Sequence, residues 1–201
     1  MKKYIESITA LNNIALKKPS DINRFAESDI FWARNKNQPL LNRKISKGNV
    51  YQFEFGKNYV PEMSYEHRGL VIGVSGKLLY VLPIFSYNPT DKRYSDVFHP
   101  DDNPHSKSNF FLLKNEEFDF LAHNSLLKLN DIRTVSVARI KYKQKDGYIS
   151  PSSSTYKHIE ELVISKYFHQ YVHDYHKLLA ENESLKSQID KLKQEIAKLQ
   201  K

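Results

Sequence analysis

From residue 168 onward the apolar residues recur at alternating spacings of three and four: Phe168, Tyr171, Tyr175, Leu178, Asn182, Leu185, Ile189, Leu192, Ile196 and Leu199. A 3.5-residue repeat sustained over this length requires a helix whose stripe meets another helix. Asn182, Ile189 and Ile196 fall at a positions and the leucines at d, a choice that favours two parallel strands, with the buried Asn fixing register at some cost in stability. Glu181 at g and Lys186 at the following e can then bridge across a parallel pair. A lone amphipathic helix packed on its own domain is the simpler alternative, but the repeat runs to the last few residues. A homodimer held by Leu178, Asn182, Leu185, Ile189, Leu192, Ile196 and Leu199 is therefore expected. His169, His173 and His176 share the outer b and f positions, where no acidic ligand joins them, so no metal is expected there.

The texture changes twice before this helix. Ile5, Ile8, Leu11, Ile14 and Ala15 have helical spacing, Lys17-Lys18-Pro19 stops the pattern, and Ser20 or Asp21 can cap a second helix through Trp32 that ends by Pro39. Short apolar runs then read as about six strands: Val50–Phe55, Gly69–Val74, Leu78–Ile84, Phe110–Leu113, Leu126–Leu129 and Ile132–Ile140. Ser75-Gly76 marks a hairpin turn, and Glu116–Ala122 reads as a short helix packing Phe118 and Leu121. The polar stretch Tyr87–Asn109, with three prolines, reads as a long loop. Lys145–Thr155, with Gly147, Pro151 and three serines in a row, reads as a hinge. The expected organisation is a basic helical extension (1–44), a small barrel or sandwich (45–145), a linker (146–156) and a coiled-coil helix (157–201), α+β overall with a mainly β core.

Charge points to a partner. The chain carries 31 basic and 23 acidic side chains, and residues 1–50 alone hold ten basic against four acidic. A polyanion such as RNA would meet that arm first, although a solubilising surface has the same composition. The absence of cysteine excludes disulfides, thiolate metal sites and a cysteine nucleophile. No apolar run is long enough to span a membrane and the start lacks a signal-peptide core, so a soluble, cytoplasmic protein without membrane partners is expected. The His99–His105 loop holds ligand types, but its Pro, Asp and Asn are those of ordinary turns, and no metal or cofactor is expected. Glycine-rich phosphate loops, HExxH and GxSxG are all missing.

Four segments in the middle third resemble the PemK/MazF-like toxin family. Lys47-Gly48-Asn49-Val50-Tyr51 is similar to that family's Gly-Asp-(Val/Ile)-Tyr strand start, and His67-Arg68-Gly69-Leu70-Val71-Ile72 to its Arg-Pro-Val-Val-Ile strand. Leu82-Pro83-Ile84-Phe85-Ser86 resembles its Pro-(Ile/Val)-Thr-Ser strand end, and Asn130-Asp131-Ile132-Arg133-Thr134-Val135 its Asp-Gln-Ile-Arg-Thr-Ile segment. Their order and separations agree over about residues 45–145. The resemblance implies an SH3-like β-barrel, dimerisation, a cognate antitoxin, and metal-independent cleavage of single-stranded RNA by the neighbouring 2′-OH.

By position, the resemblance makes Arg68 the phosphate-stabilising residue, Ser86 a phosphate hydrogen-bonding hydroxyl, and Lys128 the counterpart of a catalytic arginine, with Asn130 where members carry an aspartate. His67 beside Arg68 offers an imidazole that titrates near neutral pH. RNA is expected to lie near Arg68, with phosphates drawn to Arg139, Lys141, Lys143 and Lys145 and bases stacking on Tyr51, Tyr59, Tyr65 or Phe85. Phe85 replaces a threonine, Gly69 a proline, Lys128 an arginine and Asn130 an aspartate. These departures support an alternative, a non-catalytic binding module of the same fold dimerised by its coiled coil. Separately, an ordinary structural role for Arg68 is a salt bridge to Glu62 or Glu66.

Overall fold

The computed structural model describes residues 2–17, 19–37 and 44–199. The chain divides into two compact units, Met1–Ile159 and Glu160–Lys201. Two helices lead, α1 (Lys2–Lys17) and α2 (Pro19–Asn35). Pro19 suits a first helical position, where its missing N–H has no partner to lose. The helix thus begins two residues earlier than a Ser20 cap requires and three earlier than an Asp21 cap, and Asp21 instead places its charge in the first turn. Pro39, expected to end this helix, lies outside the described residues.

Seven strands follow: β1 (Asn49–Glu54), β2 (Glu66–Ser75), β3 (Leu78–Ser86), β4 (Phe110–Leu113), β5 (Ser125–Lys128), β6 (Arg133–Ser136) and β7 (Ile140–Tyr148). They form one antiparallel sheet in the order β4-β5-β3-β2-β1-β7, with β6 also paired to β3. One edge of β3 is shared: Leu78–Val81 pair with β6, and Ile84–Ser86 with β5. The expected barrel is not closed by its hydrogen bonds, because among the described residues nothing pairs β4 with β7. The outer edge of β4 is already occupied. Phe98 N donates to Phe110 O (2.9 Å) and Leu112 N to Phe98 O (2.8 Å), so the preceding loop takes the positions a closing strand needs.

Three local expectations are corrected. The run Ile132–Ile140 is not one strand: Ser136 Oγ accepts from Ala138 N (3.2 Å) and caps a 3-10 turn over Val137–Arg139, which separates β6 from a new strand reaching Tyr148. Glu116–Ala122 forms two tight turns rather than a helix, with Glu117 N bonded to Lys114 O and Leu121 N to Phe118 O. The hinge shrinks to residues 149–153, because β7 runs to Tyr148 and α3 (Ser154–Tyr167) starts at Ser154. Its serines are caps: Ser153 Oγ donates to Ser150 O (2.7 Å) and accepts from Tyr156 N (3.2 Å).

Both faces of β1, β2 and β3 are buried: Tyr51, Phe53, Phe55, Val71, Leu79, Val81 and Val135 pack together on one, and Val50, Leu70, Leu82 and Ile84 are buried on the other. Gly69 belongs to the Tyr51 face. A Cβ there would stand 2.4 Å from Val81 Cγ1 and 2.9 Å from Phe53 Cδ2, so only glycine lets β2 cross these side chains. Tyr51, expected as a stacking face, is buried and donates its hydroxyl to Asn49 Oδ1 (3.2 Å).

In the second unit the single long helix expected is two segments, α3 ending at Tyr167 and α4 running His169–Leu199. The ladder continues across the break, with Phe168 N bonded to Ile164 O (2.8 Å) and Val172 N to Phe168 O (3.0 Å). The seam is exposed throughout α4, from Leu199 at 87% to Ile189 at 50%. Among the described residues no helix is long and apolar enough to cross a membrane.

Candidate functional site

Strand register decides which side chains meet. Arg68 stands opposite Gln52 and Ile84, and Ser86 opposite Ser125. Opposed residues of antiparallel strands share a face, as do alternate residues along one strand. Arg68, Ser86 and Ser125 therefore share one face of β2, β3 and β5, and His67 belongs to the other.

On that face Arg68 Nη2 donates to Ser125 Oγ (3.0 Å), and Ser125 Oγ donates to the carbonyl of His123 (3.1 Å). The His123 ring turns to Ser86, with Nε2 2.7 Å from Oγ. Ser125 is fully buried, whereas Ser86 and His123 are exposed. Among the described residues no carboxylate pairs with Arg68. The two acids named as its partners are taken: Glu62 holds Arg133 (3.3 Å), and Glu66 holds Lys141. Burial draws the Arg68 guanidinium below its ordinary value, against the neighbouring Tyr142 phenol, which favours the charge. It stays charged at any physiological pH. A half-buried guanidinium whose fork meets a neutral hydroxyl has donors left over, in the planar geometry that matches carboxylate or phosphate oxygens.

The other predicted residues lie elsewhere. Lys128 is buried, with its ammonium donating to the carbonyl of Pro61 and lying 3.3 Å from Asp131 Oδ2. Asp131 is a hub, also accepting from Met63 N (2.8 Å) and Arg133 Nε (3.0 Å). These contacts tie the loop after β1 to the β5–β6 turn. Asn130 is exposed in that turn. Phe85 faces away from Arg68, in an aromatic cluster with Tyr94 (5.5 Å) and Phe110 (5.8 Å). Arg139 donates to Glu54 O (2.9 Å). Lys143 lines a shallow basic depression with Lys44, Lys141 and Tyr142.

His67 is held neutral, chiefly by burial and further by Arg24 and Arg68, with Glu66 acting in the opposite sense. Its folded value is depressed, so the unfolded chain takes up the proton first. Its contribution to stability is full above the unfolded value of about 6.5 and falls as pH drops below it. Urea unfolding across that range will show a stability loss toward acid pH that shrinks in His67→Gln.

Two members of the Arg68 cluster, His123 and Ser125, carry no sequence signal of their own, since they fall between two expected elements. His99 is different in kind. Its Nδ1 accepts from the amides of Asp101 (3.3 Å) and Asp102 (3.2 Å), and its Nε2 lies 3.1 Å from Glu117 Oε1. The ligand atoms of His99, Asp101 and Glu117 lie within 4.8 Å of one another, but both ring nitrogens are engaged in holding the loop. Compared with known protein families and with curated proteins, the chain matches none.

Proposed function

We propose that the chain binds single-stranded RNA across the Arg68 face and cleaves it by attack of the 2′-OH on the adjacent phosphorus. The observation that carries this reading is the half-buried Arg68 guanidinium with no carboxylate partner among the described residues, beside the His123–Ser86 pair. Arg68, with Ser125 fixing one nitrogen, stabilises the charge that builds on phosphorus. His123 accepts the 2′-OH proton, with Ser86 orienting the ring. The P–O5′ bond breaks to leave a cyclic phosphate and a 5′-OH, and the leaving oxygen takes its proton from water at the exposed rim. His123 thus takes the base role expected of His67, and no residue here takes the part that the resemblance to PemK/MazF-like toxins gives to Lys128. Tyr142, opposite Gln52 and so on the Arg68 face, offers an aromatic surface for the strand.

The test is digestion of single-stranded RNA by the purified protein in excess EDTA, with fragment ends analysed. Cyclic-phosphate and 5′-OH ends that disappear in His123→Ala support the reading; RNA that is bound but intact overturns cleavage. Phe85 favours that second outcome, a binding module, because a threonine hydroxyl of the family is here replaced by a ring walled in by Tyr94 and Phe110. An antitoxin partner is carried by the resemblance alone, and toxicity on expression that Arg68→Ala relieves would support it.

The exposed seam of α4 fits a second copy of the chain in parallel. Asp174, Glu181 and Glu195 occupy g positions and Lys186 and Lys193 e positions, so an antiparallel pair would set like charges together. Removing residues 177–201 is expected to convert the dimer to monomer or to a weaker dimer in light scattering. An unchanged mass would place the contact elsewhere.

A further inference from the structure

A cavity of about 570 Å³ opens beside α2, bounded by the end of β1 and the Val137–Arg139 turn. That size lies within the range of roughly 300–1,000 Å³ usual for ligand pockets. Its walls include the rings of Phe31 and Trp32, and its polar groups include Lys36, Glu54 and Arg139. Glu54 is 5% exposed, and its Oε1 accepts from Ser28 Oγ (3.0 Å) and Gly56 N (2.9 Å). Its second oxygen meets no donor among the described residues. That oxygen is open to solvent, since the buried side-chain atom left without a partner among the described residues is His158 Nδ1, and a ligand donor that displaces water there gains a charge-assisted hydrogen bond.

The donors stand nearby. Arg139 gives one nitrogen to Glu54 O (2.9 Å) and pairs with no carboxylate among the described residues. Gly56 makes room for it: its φ is +85°, and a Cβ would lie 3.0 Å from Arg139 Nη1. Lys36 Nζ sits 4.3 Å from the centroid of the Trp32 ring. The cavity therefore offers aromatic walls, a carboxylate with one oxygen open to solvent, and cationic donors.

That combination suits a planar molecule with N–H donors on one edge and acceptors on another. Among the nucleobases guanine fits. Its N1–H and 2-amino group match a carboxylate, and its O6 and N7 accept from an arginine or lysine. The position suits a strand as well. Glu54 pairs with Glu66, two residues from Arg68, so Glu54 and Arg68 are diagonal neighbours, roughly 7–8 Å apart on the same face.

We propose that this cavity is a guanine-recognition pocket, with Glu54 accepting from the Watson–Crick edge and Trp32 and Phe31 supplying the stacking faces. Its place beside the bound strand rests on the RNA reading of Arg68; its chemistry does not. Trp32 is the sole tryptophan of the chain, so its fluorescence reports occupancy directly. In titrations of the full chain, guanosine is expected to quench Trp32 saturably. Inosine, which lacks the 2-amino group, is expected to bind about tenfold more weakly or worse, and adenosine and cytidine to show no saturation. Glu54→Gln, which sets an amide beside the donor edge, is expected to lose guanosine by a similar factor. If that variant fails to fold, the ratio of guanosine to inosine in the native chain decides. Equal quenching by all four nucleosides, or none by guanosine, overturns the proposal. Guanosine binding with RNA neither bound nor cut would sink the Arg68 reading and leave the pocket standing. RNA cleavage without guanosine binding would do the reverse.

Discussion

Replacing Asp131 with alanine will cost the domain about 3–5 kcal/mol, the range for stripping one partner from a buried ion pair. The Lys128 ammonium would remain buried with only the Pro61 carbonyl. Met63 N would lose its acceptor, and Arg133 would keep only Glu62 at the exposed rim. Set against a typical total of roughly 5–15 kcal/mol, the loss will be plain as a lower urea midpoint. Asp131→Asn should cost less, since its side-chain oxygen can still accept from Met63. Replacing Lys128 with methionine in the Asp131→Ala background should recover part of the loss by removing the stranded charge. A midpoint within experimental error of the parent would mean that this hub is not structural and that Lys128 must be reconsidered as a catalytic group.

Arg68→Ala has the opposite profile. RNA cleavage is expected to fall about 10²–10³-fold, as when a single donor to a transition-state oxyanion is removed, while stability stays level or rises. Nothing buried is orphaned by the change, because Ser125 Oγ keeps its bond to the His123 carbonyl. A half-buried charge without a carboxylate partner is also relieved of its desolvation cost. Arg68→Lys keeps the charge and loses the fork, so its rate should fall between the two. The diagnosis is the pairing of results, activity lost with stability kept. A variant that loses both would mark Arg68 as a structural residue.

The sequence made some parts of this molecule readable and hid others for physical reasons. Strand existence was legible because β1, β2 and β3 alternate or run apolar, and the Ser75-Gly76 turn joins the last two. The seam of α4 was legible because a heptad repeat depends on spacing alone. Closure of the sheet was not, since it turned on Phe98 reaching the β4 edge from a stretch that reads as polar loop. The serines at 150–153 look like linker composition, and serine is equally a capping residue. Within the site, Arg68 and Ser86 stood out through the resemblance. Ser125 and His123 did not, because their roles depend on register between β3 and β5, which no local pattern encodes. Lys128 and Asp131 are three residues apart, yet their burial against the loop around Met63 is a long-range fact.

The shared edge of β3 has a consequence for how the chain is made. The β2–β3 hairpin closes through a short local turn and can form as soon as it leaves the ribosome, whereas β5 and β6 are synthesised some forty residues later. Until then the growing chain exposes an unpaired edge bearing Leu79 and Val81, a template for pairing with other nascent chains. Folding speed and unfolding speed should therefore respond to different changes. Gly76, at a φ of +59°, sits in the early turn, and Gly76→Val is expected to slow refolding in stopped-flow measurements. Val135→Ala, in the late-docking β6, is expected mainly to quicken unfolding. The same edge that gathers two strands into the finished sheet is the one the cell must shield while the protein is half made.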